Sequence, residues 1–224
     1  MTDEISELYN SCLEQPENIF KLISTGRFDV VDKLIEDNQV NVNLVDGVGN
    51  DVVTRILKAR QYDLVCKLMK KRNWNVNHKN VNGDTFGHIL ATDNSLNAVK
   101  VVQQLNKKKN YIPNVTNNKG ETVLDLALNS NYLCTIIKFL EDKRFTLIDI
   151  STFKELCNMI IKDRNYGKYT KINTLEIIVK DCEKKELEPE VKDLVDNISI
   201  NMDNIKNAII NNNSKLVNSM INSY

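Results

Sequence analysis

The sequence of 224 residues has few residues that interrupt helices and no excess charge of either sign. It contains three prolines, seven glycines and two histidines. Thirty basic and thirty acidic residues cancel, so the formal net charge is zero. A neutral chain lacks the strong positive field that attracts nucleic acid or an anionic membrane. Composition therefore disfavours a dedicated nucleic-acid-binding protein.

Targeting segments and disulfide patterns are also missing. No apolar run is long enough to cross a bilayer, and the acidic start Met1-Thr2-Asp3-Glu4 differs from a signal peptide. The five cysteines are odd in number and widely spaced, without a CxxC pair. They are Cys12, Cys66, Cys134, Cys157 and Cys182. We expect reduced thiols on buried helix faces, in a cytoplasmic or nuclear protein that is not secreted and has no membrane segment.

Motifs for catalysis and for cofactor binding are not found. The sequence has no glycine-rich phosphate loop, no HExxH pair and no nucleophile motif. Asp84 and Asp125 stand at the starts of helical patterns, where an acid is ordinarily a cap or a dipole partner. The sequence therefore predicts a protein that is not an enzyme, with no catalytic residues, no cofactor and no metal site.

An internal repeat organises what is present. The segment Asn117–Leu140 contains a glycine turn, a short apolar run of helical spacing, a polar break and a second apolar run. Asn75-Val76-Asn77 matches Asn41-Val42-Asn43 at an offset of 34, and Gly83 and Thr85 match Gly120 and Thr122 at an offset of 37. Such a period is typical of helix pairs that bury their apolar faces by stacking.

The repeated residues resemble the ankyrin repeat, with its consensus D-x-x-G-x-T-P-L-H-x-A-A, a second helix and a closing asparagine. The segments 83–91 and 120–127 carry this resemblance, and 46–51 is similar to a third copy. Phe86 and Val123 replace the consensus proline, and His88 alone keeps the histidine. The resemblance implies an all-α, ankyrin-like helical repeat solenoid with short finger hairpins and helical caps. It also implies that His88 makes structural hydrogen bonds within and between repeats.

We predict one continuous domain. Residues 1–16 form an N-terminal helical cap, in which Ile5, Leu8, Tyr9, Cys12 and Leu13 share one helix face and Pro16 ends the helix. Residues 17–150 hold ankyrin-like repeats at about 17–45, 46–79, 80–116 and 117–150. Gly26 lies between the helices of the first, weaker repeat. Residues 151–224 hold degenerate helical repeats and a C-terminal cap.

The function implied by the resemblance is a protein–protein interaction module. A scaffold or regulatory adaptor of this kind binds another protein along the concave face of its fingers and first helices, and is monomeric apart from that partner. Candidate partner-binding residues are Asp46, Val48, Asn50, Arg55, Lys58, Lys79, Val81, Asn118, Lys119 and Glu121. Val48 and Val81 are apolar residues at loop tips beside charged residues, the pattern of contact anchors with a polar rim.

Two basic clusters leave an alternative open. Lys70-Lys71-Arg72 and Lys107-Lys108-Lys109 occupy equivalent repeat positions at the ends of second helices, and would stack into one basic ridge. Cations there complement the negative end of a helix dipole, which is the structural interpretation. Alternatively, the ridge binds nucleic acid, a localisation receptor or an acidic protein partner. For the whole chain, the alternative functions are a nucleic-acid-associated transcriptional regulator using this ridge, or a viral or host-modulating ankyrin protein.

Two further residue patterns are interpreted as structural background. Trp74, Tyr111 and Phe145 recur at equivalent positions, and we expect them to pack between second helices rather than to bind a ligand. The thirty-two asparagines are attributed to the base composition of the genome rather than to a mechanism.

Overall fold

The computed structural model describes residues 3–130, 132–145, 150–162, 167–183 and 189–222. This part of the chain contains fourteen α-helices and no β-sheet. Its only extended pairing consists of two isolated antiparallel bridges, between Val45 and Asp51 and between Thr116 and Thr122. The predicted all-α fold is therefore confirmed. The chain divides into two compact units, unit 1 (Met1–Ser130) and unit 2 (Asn131–Tyr224).

Unit 1 is built from helix pairs. Its helices are α1 (Asp3–Glu14), α2 (Asn18–Ser24), α3 (Phe28–Glu36), α4 (Val52–Lys58), α5 (Tyr62–Leu68), α6 (Phe86–Ala91), α7 (Leu96–Asn106) and α8 (Val123–Ser130). The first helices α2, α4, α6 and α8 pack one after another, and the second helices α3, α5 and α7 form a parallel row. Each of these second helices also packs against the first helix of its own pair.

Residues at equivalent positions of successive repeats are buried in the same way. In α3 the buried apolar residues are Val30, Val31, Leu34 and Ile35. At an offset of 34 they correspond to Leu64, Val65, Leu68 and Met69 of α5 and its C-cap, which are buried as well. Burying one such side chain contributes about 1.5 to 3 kcal/mol. The apolar stripe of each second helix therefore holds the two rows together.

The N-terminal segment agrees with most of its predicted features. Pro16 lies between α1 and α2, and α1 packs against both α2 and α3. Gly26 separates α2 from α3 with a φ of 74°, a conformation that favours glycine. Leu13, which was predicted on the apolar face of α1, is instead exposed. The capping function and the repeat boundaries stay predictions.

Unit 2 contains six described helices. They are α9 (Leu133–Leu140), α10 (Ile150–Lys162), α11 (Lys168–Cys182), α12 (Pro189–Ile200), α13 (Met202–Ile210) and α14 (Ser214–Asn222). The last helix, α14, packs against α10, α12 and α13. In a solenoid each repeat contacts only its neighbours. The contact between α14 and α10 joins helices that are not neighbours along the chain. The degenerate repeats and the C-terminal cap of residues 151–224 stay predictions. The predicted end of the last ankyrin-like repeat, at residue 150, comes directly after residues 146–149, which lie outside the described residues.

None of the five cysteines, all of which lie within the described ranges, forms a disulfide bond. Cys12, Cys157 and Cys182 are buried, as predicted, and burial raises the pKa of the Cys157 thiol. Cys66 and Cys134 are only half-buried, so the prediction of buried positions is wrong for these two. They lie at the margins of the apolar stripes of α5 and α9 rather than at their centres.

Candidate functional site

Three loops between helix pairs have the same fold, and we call them finger 1 (45–51), finger 2 (79–85) and finger 3 (116–122). In finger 1 the Asp46 Oδ1 atom accepts hydrogen bonds from the N–H groups of Val48 and Asn50, at 3.0 and 2.9 Å. Asn80 and Asn117 accept the corresponding two bonds in fingers 2 and 3. Each turn is completed by a glycine with positive φ, namely Gly49, Gly83 or Gly120.

Neighbouring fingers are joined through their main chains. The Val81 N–H donates to the Val48 carbonyl at 3.2 Å, and the Asn118 N–H donates to the Asn82 carbonyl at 2.9 Å. A Cβ atom on Gly83 would lie 2.7 Å from the Asn118 backbone nitrogen, so only glycine permits this approach. The finger tips are therefore held at a fixed spacing.

Most predicted contact residues lie on the surface of this row of fingers. The exposed fractions of Val48 and Val81 are 51% and 62%, which confirms that the two apolar tips face solvent. Lys58, Lys79, Asn118 and Lys119 are also exposed. The Lys79 Nζ atom donates to the Thr116 carbonyl at 2.7 Å and so links finger 2 to finger 3.

Asn50, a predicted contact residue, is buried, because the next finger covers it. Asn50 is only 1% exposed, and its Oδ1 accepts a hydrogen bond from Asn80 Nδ2 at 3.0 Å. Asp46 and Arg55 are half-buried and form an ion pair, with 3.2 Å between Nε and Oδ2. These three side chains stabilise fingers 1 and 2.

A groove of about 490 Å³ lies where fingers 2 and 3 meet helices α6 and α8. Its lining includes the predicted contact residues Asn118, Lys119 and Glu121. Asp84, Ile89 and Leu126 also line the groove, and sequence reasoning missed them. Asp84 is predicted to be a helix cap or a dipole partner; the N-cap of α6 is Thr85, and Asp84 stands directly before it. The threonine that directly follows Asp84 was the signal for this N-cap.

Buried hydrogen bonds fix the wall between groove and core. The Thr85 N–H donates to His88 Nδ1 at 3.1 Å, so the ring proton lies on Nε2, which donates to the Glu121 carbonyl at 3.1 Å. Burial lowers the pKa of His88, and the ring is neutral. The predicted structural role of His88 is confirmed. Asp125 is the predicted cap partner in α8, where its Oδ2 accepts from the Thr122 N–H at 2.7 Å.

The basic ridge has structural contacts of its own. The Lys71 Nζ atom donates to Asn38 Oδ1 at 2.7 Å. Lys108 Nζ lies 5.8 Å from the ring centroid of Trp74, and burial lowers the pKa of this lysine. Such a cation–aromatic contact is worth about 0.5 to 2 kcal/mol. Both clusters begin within two residues of the ends of α5 and α7, which supports the structural interpretation.

The recurring aromatic residues pack in the core. Trp74 is in edge contact with Phe86 at 5.0 Å between ring centroids, and its Nε1 donates to Asp51 at 2.8 Å. Phe145 makes a similar contact with Phe139 at 5.4 Å. The predicted packing role is confirmed. Trp74 also contacts a first helix, because Phe86 belongs to α6.

The residues that the structure describes contain neither a candidate metal cluster nor a candidate membrane span. Within the described ranges, no group of three or more His, Cys, Asp or Glu residues is arranged to hold a metal ion. None of the helices in that part of the chain combines the length and the apolar character needed to cross a bilayer.

The fold is similar to that of a known ankyrin repeat protein. The crystal structure of EF0377, an ankyrin repeat protein, matches with a TM-score of 0.52 and 16% sequence identity. The match covers 75% of this chain and 81% of that chain. No protein-family model and no curated protein matches the sequence. The structural likeness shows an ankyrin-repeat-like fold, in agreement with the resemblance seen in the sequence.

Proposed function

We propose that this chain is a non-enzymatic protein–protein interaction module, a scaffold or regulatory adaptor. In this proposal it binds a partner protein along the fingers and first helices of unit 1. The observation that carries the proposal is the pair of exposed valines, Val48 and Val81, on adjoining finger tips. The chain is otherwise monomeric in this proposal, acts in the cytoplasm or nucleus, and needs no cofactor.

The two valines have the character of interface anchors. Neither is needed for its turn, because the turn bonds are made by main-chain groups and by the side chains of Asp46 and Asn80. Removing such exposed apolar groups from water favours association. Because neighbouring fingers are hydrogen-bonded to each other, they lose little conformational entropy on binding. Lys79 and Lys119 supply charges for a polar rim.

The test replaces both tips, as Val48→Asp with Val81→Asp. Leu96→Asp is the matched control, because Leu96 is 72% exposed at the start of α7 and lies outside the fingers. The tagged parent chain is used to capture a partner that stays bound in high salt, and mass spectrometry identifies this partner. Calorimetry with the purified partner then measures the affinity of the parent and of each variant. The tip variant should keep its helicity and melting temperature but lose about 2 kcal/mol, roughly thirtyfold in affinity.

Two results would count against the proposal. If the tip variant binds the purified partner as tightly as the parent and the Leu96→Asp control, the finger surface is not the interface. If the chain is instead retained on DNA in a salt-dependent way, the basic ridge is the functional surface.

A further inference from the structure

The groove between fingers 2 and 3 combines apolar walls with two neighbouring carboxylates. Ile89 and Leu126 contribute half-buried apolar side chains. The Asn117 Nδ2 atom donates to Asp84 Oδ1 at 2.9 Å and to Glu121 Oε2 at 3.0 Å. One amide nitrogen therefore holds the two carboxylates side by side in the groove.

The negative charge of this pair is only partly compensated. Within the described part of the chain, neither Asp84 nor Glu121 forms an ion pair. The His88 ring is neutral, because its Nδ1 accepts from the Thr85 N–H. The Lys79 ammonium is held by the Thr116 carbonyl, and Lys79 is not among the residues that line the groove. Lys119 also lines the groove and offsets one of the two charges. The lining as a whole favours a cation.

We propose that this groove receives an arginine side chain of the partner protein, an inference that rests on the proposed function. A planar guanidinium presents five N–H donors in a fixed fork, so it can bond to both carboxylates at once, which a compact ammonium does less well. The apolar stem of the arginine packs on Ile89 and Leu126. An apolar residue next to the arginine contacts Val81, which is exposed on finger 2. A nucleic-acid phosphate would be repelled by the carboxylates.

Nuclear magnetic resonance of the isotope-labelled full chain tests this inference with defined probes. The first probe is N-acetyl-leucyl-arginine amide, and the second carries citrulline, which has nearly the same shape as arginine but no charge. The side-chain amide of Asn117 is the reporter, because it contacts both carboxylates. The arginine probe should shift this resonance in a saturable way, with an affinity about tenfold or more above that of the citrulline probe.

Variants without the carboxylate charges test whether the arginine-induced shift depends on Asp84 and Glu121. Asp84→Asn with Glu121→Gln keeps the oxygen atoms that accept from Asn117, so the finger should remain folded. This variant should lose the arginine-induced shifts, whereas Asp63→Asn, at an exposed acid of α5, should keep them.

Three results would overturn the inference. They are equal binding of the citrulline probe, unchanged binding of the arginine probe to the neutral variant, and a shift of the Asn117 amide by single-stranded DNA. A partner that is lost from the Val48→Asp, Val81→Asp variant but retained by the neutral groove variant would leave the proposed function in place and refute the arginine site alone.

Discussion

Asparagine side chains link consecutive repeats of unit 1 to each other. Asn77 Nδ2 donates to the Asn110 carbonyl at 2.6 Å, and Asn77 Oδ1 accepts from the Ile112 N–H at 2.9 Å. Asn43, at the equivalent position of the preceding repeat, bonds in the same two ways to Asn73 and Asn75. The substitution Asn77→Ala removes both bonds of one such link, and so tests whether they stabilise the stack.

The expected magnitude follows from these two bonds. Each contributes about 0.5 to 1.5 kcal/mol net, so Asn77→Ala should lower the free energy of unfolding by about 1 to 3 kcal/mol. Asn77 is half-buried, and water can replace part of what is lost. Asn77→Asp keeps the acceptor for Ile112 but places a carboxylate against the Asn110 carbonyl, so it should be at least as destabilising as the alanine variant.

Urea unfolding measures the change, and amide hydrogen exchange at Ile112 gives a local measure in a chain of two units. Asn73→Ala is the control, because the exposed Asn73 side chain makes no hydrogen bond in the described residues. The link does not stabilise the stack if the free energy of unfolding of Asn77→Ala lies within about 0.3 kcal/mol of the parent value and the Ile112 amide keeps its protection from exchange.

Two more predictions concern the packing of α6. A Cβ atom on Gly87 would lie 2.5 Å from Tyr111 Oη and 3.1 Å from Val123 Cγ2, so Gly87→Ala should cost about 1 to 3 kcal/mol. Measured by urea unfolding, the substitution Tyr111→Phe should destabilise the Gly87→Ala variant less than it destabilises the parent chain, because it removes the atom that the new methyl group meets. If the two changes in unfolding free energy simply add, the contact is contradicted. The pKa of His88 is lowered from its ordinary 6.5, so the unfolded chain binds a proton that the folded chain does not. The contribution of His88 to the free energy of unfolding should be complete above about pH 6.5 and decline below it. A His88→Gln chain should lack this pH-dependent decline when urea midpoints are compared between about pH 7.5 and 5.

The parts of the fold that depend on local chemistry could be predicted from the sequence. Gly83 and Thr85 match Gly120 and Thr122, and the structure gives both pairs the same turn and the same helix start. A turn needs an Asn or Asp, a glycine and a cap within a few residues, so the sequence pattern alone predicts it.

The burial of Asn50 could not be predicted in this way. It depends on Asn80, which stands 30 positions further along the chain and donates across the stack of fingers. Exposure of a finger residue is therefore decided by the neighbouring repeat. The links made by Asn43 and Asn77 were missed for another reason, since the abundance of asparagine was attributed to genome composition. Their spacing of 34 was the available signal that some of these residues are structural.

The hydrogen bonds within and between the fingers determine which groups the fingers can offer to a partner. Main-chain donors such as the Val81 and Asn118 N–H groups already bond to the neighbouring finger. Asp46, Asn80 and Asn117 hold the turns with their side chains. If the proposed function holds, recognition at this surface comes mainly from the side chains that neither turn nor stack requires. We therefore expect substitutions at Val48 and Val81 to change partner binding while the fingers keep their fold.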